Sequence, residues 1–439
     1  MSFITISALR SILGARAGRR ASRTEGQRAG KTAGRTTGLR AGGLAAAVLV
    51  SLALLTPAAA QGGFDSWKRS FWREAHAAGI SRRTYDQAMR GVTLDREVIA
   101  KTDNQAEFVR PVWDYLERVV SESRIENGRE KLREYAPVLH QIERSFGVDR
   151  EVVVAIWGME SAYGAVLDNH KIMKPVVRSL ASLAYDGGRY KSFGRKQLIA
   201  AMKILQTGDV DARHMMGSWA GAMGHTQFIP TTYNAYAVDF DGDGKRNIWT
   251  SIPDALASTA AYLNSSGWEA GKTWGYEVKL PRGFDYSLGD TRRKRTLAQW
   301  SKLGVTRTEG RDFPRPSDEA FLFAPAGAKG PAFLMLKNFE VIKRYNNADS
   351  YALAVGHLAD RLRGGDAFAR DWPEGDRPLN DDERKSLQAL LNRLGHEAGA
   401  VDGKIGNQTR AAIREYQRNS GMAPDGVASL SLLEMLQGG

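Results

Sequence analysis

Residues 149–164 read DREVVVAIWGMESAYG, and their spacing governs how the rest of the chain is read. At helical period Glu160 shares a face with Val153, Ile156 and Trp157, so a carboxylate stands on an apolar stripe. Burial against such a stripe disfavours the charged form and raises the pKa, which a general acid near neutral pH requires. Asp149 is placed as the N-cap and Gly164 as the stop, which puts Glu160 in the last turn. The competing reading is a buried Glu paired with an Arg or Lys, and this stretch alone leaves both open.

The 439 residues give room for two or three domains and a sizeable core. Cysteine is absent, which excludes disulfides, cysteine nucleophiles and thiolate metal sites and leaves no cysteine for a lipid anchor. The net charge of +13 is concentrated at the start. Residues 1–60 hold nine Lys or Arg against Glu25 alone, a surplus of eight, so +5 remains for everything after them. That modest balance gives no argument for a nucleic-acid partner. The basic segment runs into LAAAVLVSLALL at 44–55 and then TPAAAQ, a secretory-signal pattern with cleavage expected near Gln61. An uncleaved amphipathic anchor is the alternative. No later stretch is long and apolar enough to cross a membrane, so the expectation is a periplasmic protein without a stable membrane anchor.

Residues 64–144 carry helical spacing, with Trp67, Phe71, Trp72 and Ala75 on one face, then Phe108, Val112, Trp113, Tyr115, Leu116 and Val119. These aromatics read as core rather than as platforms for a sugar. Residues 149–268 alternate helices with Gly-rich turns. YEVKL at 276–280, AFLFAPA at 320–326 and PAFLML at 331–336 read as strands of a small β insertion. Helical spacing returns at 351–362. The Gly, Pro and charge of GGDAFARDWPEGDRP, 364–378, mark a linker. Residues 379–439 hold three helical runs, 382–394, 407–419 and 429–436. The turn VDGKIG, 401–406, lets Asp402 bond its own backbone while its glycines take left-handed conformations. The fold class is therefore mainly α, with a small β part and a C-terminal three-helix module.

Three further stretches carry chemistry. SWAGAMGHTQFIPTTY, 218–233, brings backbone close to something through Gly and Ala, while Ser218, His225, Thr226 and Gln227 offer hydrogen-bond groups with little charge. A neutral polar groove suits a sugar chain; a glycine-rich turn between packed helices is the other reading. The glycine spacing and Lys of a P-loop are missing, and neither G-x-S-x-G nor H-E-x-x-H occurs. DFDGDGKRNIW, 239–249, sets Asp239, Asp241 and Asp243 at positions 1, 3 and 5 of a calcium loop, with Gly244 at 6 and the Lys245 carbonyl at 7. Thr250 stands where a bidentate Glu closes an EF-hand, so Asp254 would have to substitute. Three alternating carboxylates repel one another without a cation, which favours calcium or another hard cation in a stabilising role over a bare Asp-rich turn. KRYNNADSYALAVGHL, 343–358, puts Tyr345 and Asn346 before a helix bearing Tyr351, and by itself reads as an Asn-rich helix cap.

Taken together, WGMESAYG, SWAGAMGxxQFxPxxY and DFDGDG followed by a helix and Gly267-Trp268 resemble the B-type lytic murein transglycosylases over residues 64–362. The resemblance implies a lysozyme-like helical core with a small β-containing domain. It implies Glu160 as catalytic acid and base, Ser218 and Gln227 in the glycan groove, and Tyr345, Asn346 and Tyr351 completing the site. Its calcium loop would use Asp239, Asp241, Asp243, Lys245 and Asp254. The domains are then a signal peptide at 1–60, a catalytic domain at 61–363, a linker at 364–378 and a module at 379–439. The tail, with LQALLNRLG, VDGKIGNQTRAAIREYQ and PDG, looks like the three-helix peptidoglycan-binding module, although Ser429 and Ser431 stand near where a Thr is usual. No second acid accompanies Glu160 in these stretches, whereas most glycosidases need two. The resemblance implies peptidoglycan glycan strands as substrate, 1,6-anhydromuramyl ends as product and no organic cofactor. Other wall-synthesis or wall-degrading proteins are conceivable partners. A muramidase-type hydrolase and a non-catalytic wall-binding scaffold are the rival functions.

Overall fold

The computed structural model describes residues 57–103, 111–290, 292–308 and 310–438. Phe108 and all but the last residues of the signal pattern lie outside them.

The helix Arg150–Ser161 is buried around its whole circumference, not along one stripe: ten of its twelve residues are buried. The unbroken run Val152 to Trp157 has no solvent face to offer, so the helix becomes the axis of the main core. Around it pack the helices Glu122–Glu134, Ile252–Ser265 and Asp349–Leu362. Asp149 does sit at its N-cap, but its side chain caps nothing; Oδ2 accepts from Arg363 at 3.0 Å. The helix stops at Ser161, three residues before Gly164. Ala162 and Tyr163 already have φ of 50° and 59°, left-handed values unusual outside glycine. Tyr163 is held there because its ring folds back onto Gly158 while its hydroxyl donates to the Arg124 carbonyl at 2.8 Å.

A second apolar cluster joins the helix Pro57–Ala77, the pair Val176–Asp186 and Lys191–Thr207, and the glycine-rich loop that follows. Phe71 and Ala75 are in it as the helical spacing requires; Trp67 and Trp72 flank it. The β part is a five-stranded antiparallel sheet ordered Arg295–Thr296, Glu319–Phe323, Ala332–Met335, Gly275–Lys279, Thr306–Arg307. Its three longer strands are the ones expected. The two-residue edge strands carry too little periodicity to be seen in sequence. Leu322 and Leu334 pair on one face over a separate small core with Trp300.

Residues 364–378 do not hang free. Phe368 stacks on His357 with ring centroids 3.8 Å apart, Trp372 stacks on Trp113 at 5.7 Å, and the Ala369 and Arg370 amides donate to Glu277. Two aromatics among the glycines and charges make the segment a strap against the body. Beyond it, Asp381–Arg393, Asn407–Asn419 and Leu430–Gly438 close a small core of their own, the first helix capped by Asn380 and Glu383. In the turn between the first two, Asp402 accepts the Lys404 amide at 2.8 Å and Gly403 has φ 74°, but Gly406 is extended because it serves as the next helix's N-cap.

Candidate active site

Glu160 is 6% exposed, and among the described residues the one hydrogen bond at its carboxyl comes from the Tyr351 hydroxyl, which donates to Oε1 at 2.6 Å. No guanidinium or ammonium pairs with it among the described residues, so the ion-pair reading has no partner. Burial pushes its pKa up to about 8, with the Tyr351 bond pulling slightly the other way. At neutral pH the group is mostly a neutral acid, able to give a proton. A buried carboxyl beside phenols alone has nothing to force it to ionise.

Tyr351 comes from the helix Asp349–Leu362, which lies along the Glu160 helix, and it is itself buried. Tyr345, at the end of the helix Lys337–Tyr345, donates to the Thr226 carbonyl at 2.5 Å and packs edge-on against Tyr262. Burial above all, and then a negative charge on Glu160, raises the pKa of Tyr345, Tyr351 and Tyr115. Tyr115 packs against the main core, as its place on an apolar helix face predicts.

The loop 218–233 ties these pieces together. Ser161 Oγ donates to the His225 carbonyl at 2.6 Å, and the Trp157 indole donates to His225 Nδ1 at 3.0 Å. The imidazole is thus an acceptor, and burial lowers its pKa to about 4, which keeps it neutral. The next residue carries the carbonyl that holds Tyr345. Gln227 then adopts φ 55°, left-handed for a non-glycine, and its Nε2 donates to the Gly224 carbonyl at 2.8 Å. That turn leaves Gln227 Oε1 buried without a donor among the described residues, and Asn346 Oδ1 is in the same state. Two such acceptors are costly unless a ligand supplies N–H or O–H groups. Ser218 is 1% exposed, and its hydroxyl accepts the Ala222 amide at 3.1 Å; the structure gives it a turn-holding bond and no hydrogen bond to Glu160.

In the Asp-rich loop, oxygens of Asp239, Asp241 and Asp254 converge within 4.8 Å of one another. Asp243 is outside this group and accepts the Lys245 amide at 2.8 Å, so the set of carboxylates brought together is smaller than the loop spacing predicts. Asp254 is fully buried. It receives the Phe240 and Asp241 amides on Oδ1 and the Asn247 amide on Oδ2, which makes it the clamp that shapes the loop. Three hard oxygen donors at this spacing fit a calcium-like cation.

Residues 63–360 match the family model for the transglycosylase SLT domain, and residues 380–436 match a peptidoglycan binding domain. The chain is 28% identical over 298 residues to the membrane-bound lytic murein transglycosylase B of Escherichia coli, covering 65% of this chain and 79% of that one. Among solved structures, SltB3 from Pseudomonas aeruginosa in complex with NAG-anhNAM-pentapeptide is 50% identical, with TM-score 0.78 over 85% of this chain and 99% of that one. The Escherichia coli lytic transglycosylase Slt35 in complex with calcium is 25% identical, with TM-score 0.57 over 70% and 94%. With the family model spanning the body that carries Glu160, Gln227 and Tyr351, this chain belongs to the transglycosylase SLT domain family, a relative of enzymes that act on peptidoglycan.

Proposed function

We propose that the protein is a lytic transglycosylase that cleaves the β-1,4 bond between N-acetylmuramyl and N-acetylglucosaminyl residues of peptidoglycan. The observation that carries this reading is a buried carboxyl at Glu160, its pKa raised by that burial, with a phenol and, among the described residues, no second acid as its partner. Hydrolysis with inversion or retention usually calls on two carboxylates. One acid suffices when the substrate helps. Glu160 donates its proton to the bridging oxygen as the C1–O bond breaks, and the N-acetyl oxygen of the muramyl residue bonds to C1 as an oxazolinium. Glu160, now the base, takes the proton of that sugar's 6-hydroxyl while O6 bonds to C1 and the N-acetyl oxygen leaves. The acid is regenerated, no water is consumed, and the product ends in a 1,6-anhydro ring. The complex of SltB3 with NAG-anhNAM-pentapeptide supports this product class.

In this reading Tyr351 holds Glu160 in its donating position. Gln227 Oε1 and Asn346 Oδ1 accept from substrate amides or hydroxyls, Tyr345 walls the groove, and Ser218 supports its turn. Calcium, when bound, supplies charge neutralisation that stabilises the loop; Asp239, Asp241 and Asp254 would hold it, and the calcium complex of Slt35 supports the assignment. The basic, apolar and small-residue pattern of residues 1–60 would export the chain to the periplasm, where the substrate is. Among the described residues no helix is long and apolar enough to cross a membrane. Residues 61–363 would be the catalytic unit and 379–439 the wall-binding unit, joined by the strap. Mass spectrometry of products from purified sacculi tests the reaction: anhydro ends are expected, and products that had all gained water would overturn it in favour of a muramidase.

A further inference from the structure

The strap and the C-terminal module enclose, against the sheet, a cleft that the chemistry at Glu160 does not use. It measures about 410 Å³, within the range of small-ligand sites. Its two walls are fixed to each other. Arg414 faces Asp290 at 2.8 Å with both side chains about nine-tenths buried, and Asp425 accepts the Ala328 amide at 2.9 Å. Gly327 has φ 56°, and a Cβ there would come within 2.3 Å of Asp425, so the two units approach as closely as a backbone without a side chain permits. A recess between walls held in this way is a formed site.

The charges in the lining are mostly accounted for. Glu383 neutralises Arg377 through two bonds of 2.6 and 2.7 Å, Asp349 pairs with Arg292, and Arg384 bonds Asp381 and the Leu379 and Gly403 carbonyls. Of the two acids, Asp290 belongs to Arg414, and Asp425 is spent on the Ala328 and Val427 amides and the Gln417 side chain. Arg410 remains. It is half-buried and lines the cleft, and among the described residues no carboxylate pairs with it. A guanidinium left over in a recess is a fork for a planar anion, and the rings of Tyr286 and Trp113 offer apolar wall beside it.

We infer that this cleft is a second substrate site, which takes a short peptide by its free terminal carboxylate, with Arg410 as the clamp. The inference rests on the peptidoglycan reading above, since the stems of that polymer are such peptides where they are not cross-linked. A site between the body and the wall-binding module would let the enzyme sense a free stem while the glycan occupies the groove.

The test is calorimetric titration of the full chain with a synthetic stem pentapeptide ending in D-Ala-D-Ala, and with the same peptide as its C-terminal amide. Arg410→Gln and amidation should each weaken binding by about ten-fold, and together by no more than either alone, as for two halves of one contact. Arg410→Lys, which keeps the charge and loses the fork, should fall between. Unchanged melting temperatures establish that the variants fold. Equal binding of acid and amide, additive losses, no binding of the free-acid peptide, or equal displacement by inorganic phosphate would each overturn the assignment. Product analysis of the parent protein is a separate measurement, so anhydro ends with no stem binding would remove this site and leave the reaction standing.

Discussion

The Tyr351 hydroxyl donates a 2.6 Å hydrogen bond to Oε1 of Glu160 across 191 positions of sequence. The bond favours the charged form of the acid, against burial, which favours the neutral one. Tyr351→Phe should therefore move the Glu160 pKa up from about 8, shifting the alkaline limb of kcat against pH to higher pH. It should also lower kcat roughly ten- to a hundred-fold, since the acid loses its orientation. A pH–rate profile checks both; a limb that moved down would show that the hydroxyl acts some other way.

Glu160→Gln should abolish turnover and stabilise the fold. Between the ordinary carboxyl pKa and about 8 the folded chain binds a proton that the unfolded chain has released, so parental stability falls as pH rises through that window. The glutamine variant carries no such penalty. It should match the parent near pH 4 and exceed it by on the order of 3 kcal/mol at pH 7. Urea melts at the two pH values check the sign.

At the Asp-rich loop, calcium should raise the melting temperature of the parent relative to a chelator, by linkage to the folded state. Asp239→Asn with Asp241→Asn should erase that difference. Asp254→Asn should cost about 1–3 kcal/mol even in chelator, because its new amide would face the Asn247 N–H that the carboxylate now accepts. An identical parent melt with and without calcium would mean that the loop holds none.

The strap makes the position of a truncation matter. A chain ending at Asp376 keeps Phe368 on His357 and Trp372 on Trp113; it should cleave short soluble glycans like the parent and bind whole sacculi less well. A chain ending at Gly364 loses both ring contacts and should be less stable by a few kcal/mol. Thermal melts and sacculus pull-downs separate the two effects.

Gly158→Ala places a methyl within 2.7 Å of the Tyr163 ring, two residues before Glu160. Overpacking there should cost about 1–3 kcal/mol and lower kcat more than it raises KM. Tyr163→Ala should cost less in the Gly158→Ala background than in the parent, because the clash is then gone, and melts of both single variants and the double variant would reveal that coupling.

The helices, the three main strands and the order of the motifs were legible in sequence because each depends on neighbours a few positions away. Apolar spacing marks a buried face, Gly and Pro mark its ends, and the alternation of Asp239, Asp241 and Asp243 marks a loop. Even the apolar setting of Glu160 could be read that way. Local rules failed where distant residues compete. Gly164 lost the helix stop to Ala162 because Tyr163 finds a better partner on Gly158 and at the Arg124 carbonyl. Asp149 gave up its cap to Arg363.

What the sequence determined by itself is thus the helical class and an acid on a greasy surface, since period and composition act within a turn or two. Only the tertiary structure decided that this acid meets Tyr351 and, among the described residues, no basic group, that Gln227 and Asn346 keep open acceptors there, and that a stretch resembling a linker lies bound to the body. Those outcomes depend on which of several possible long-range partners wins the limited space around a buried polar atom, and that competition leaves no periodic trace in the chain.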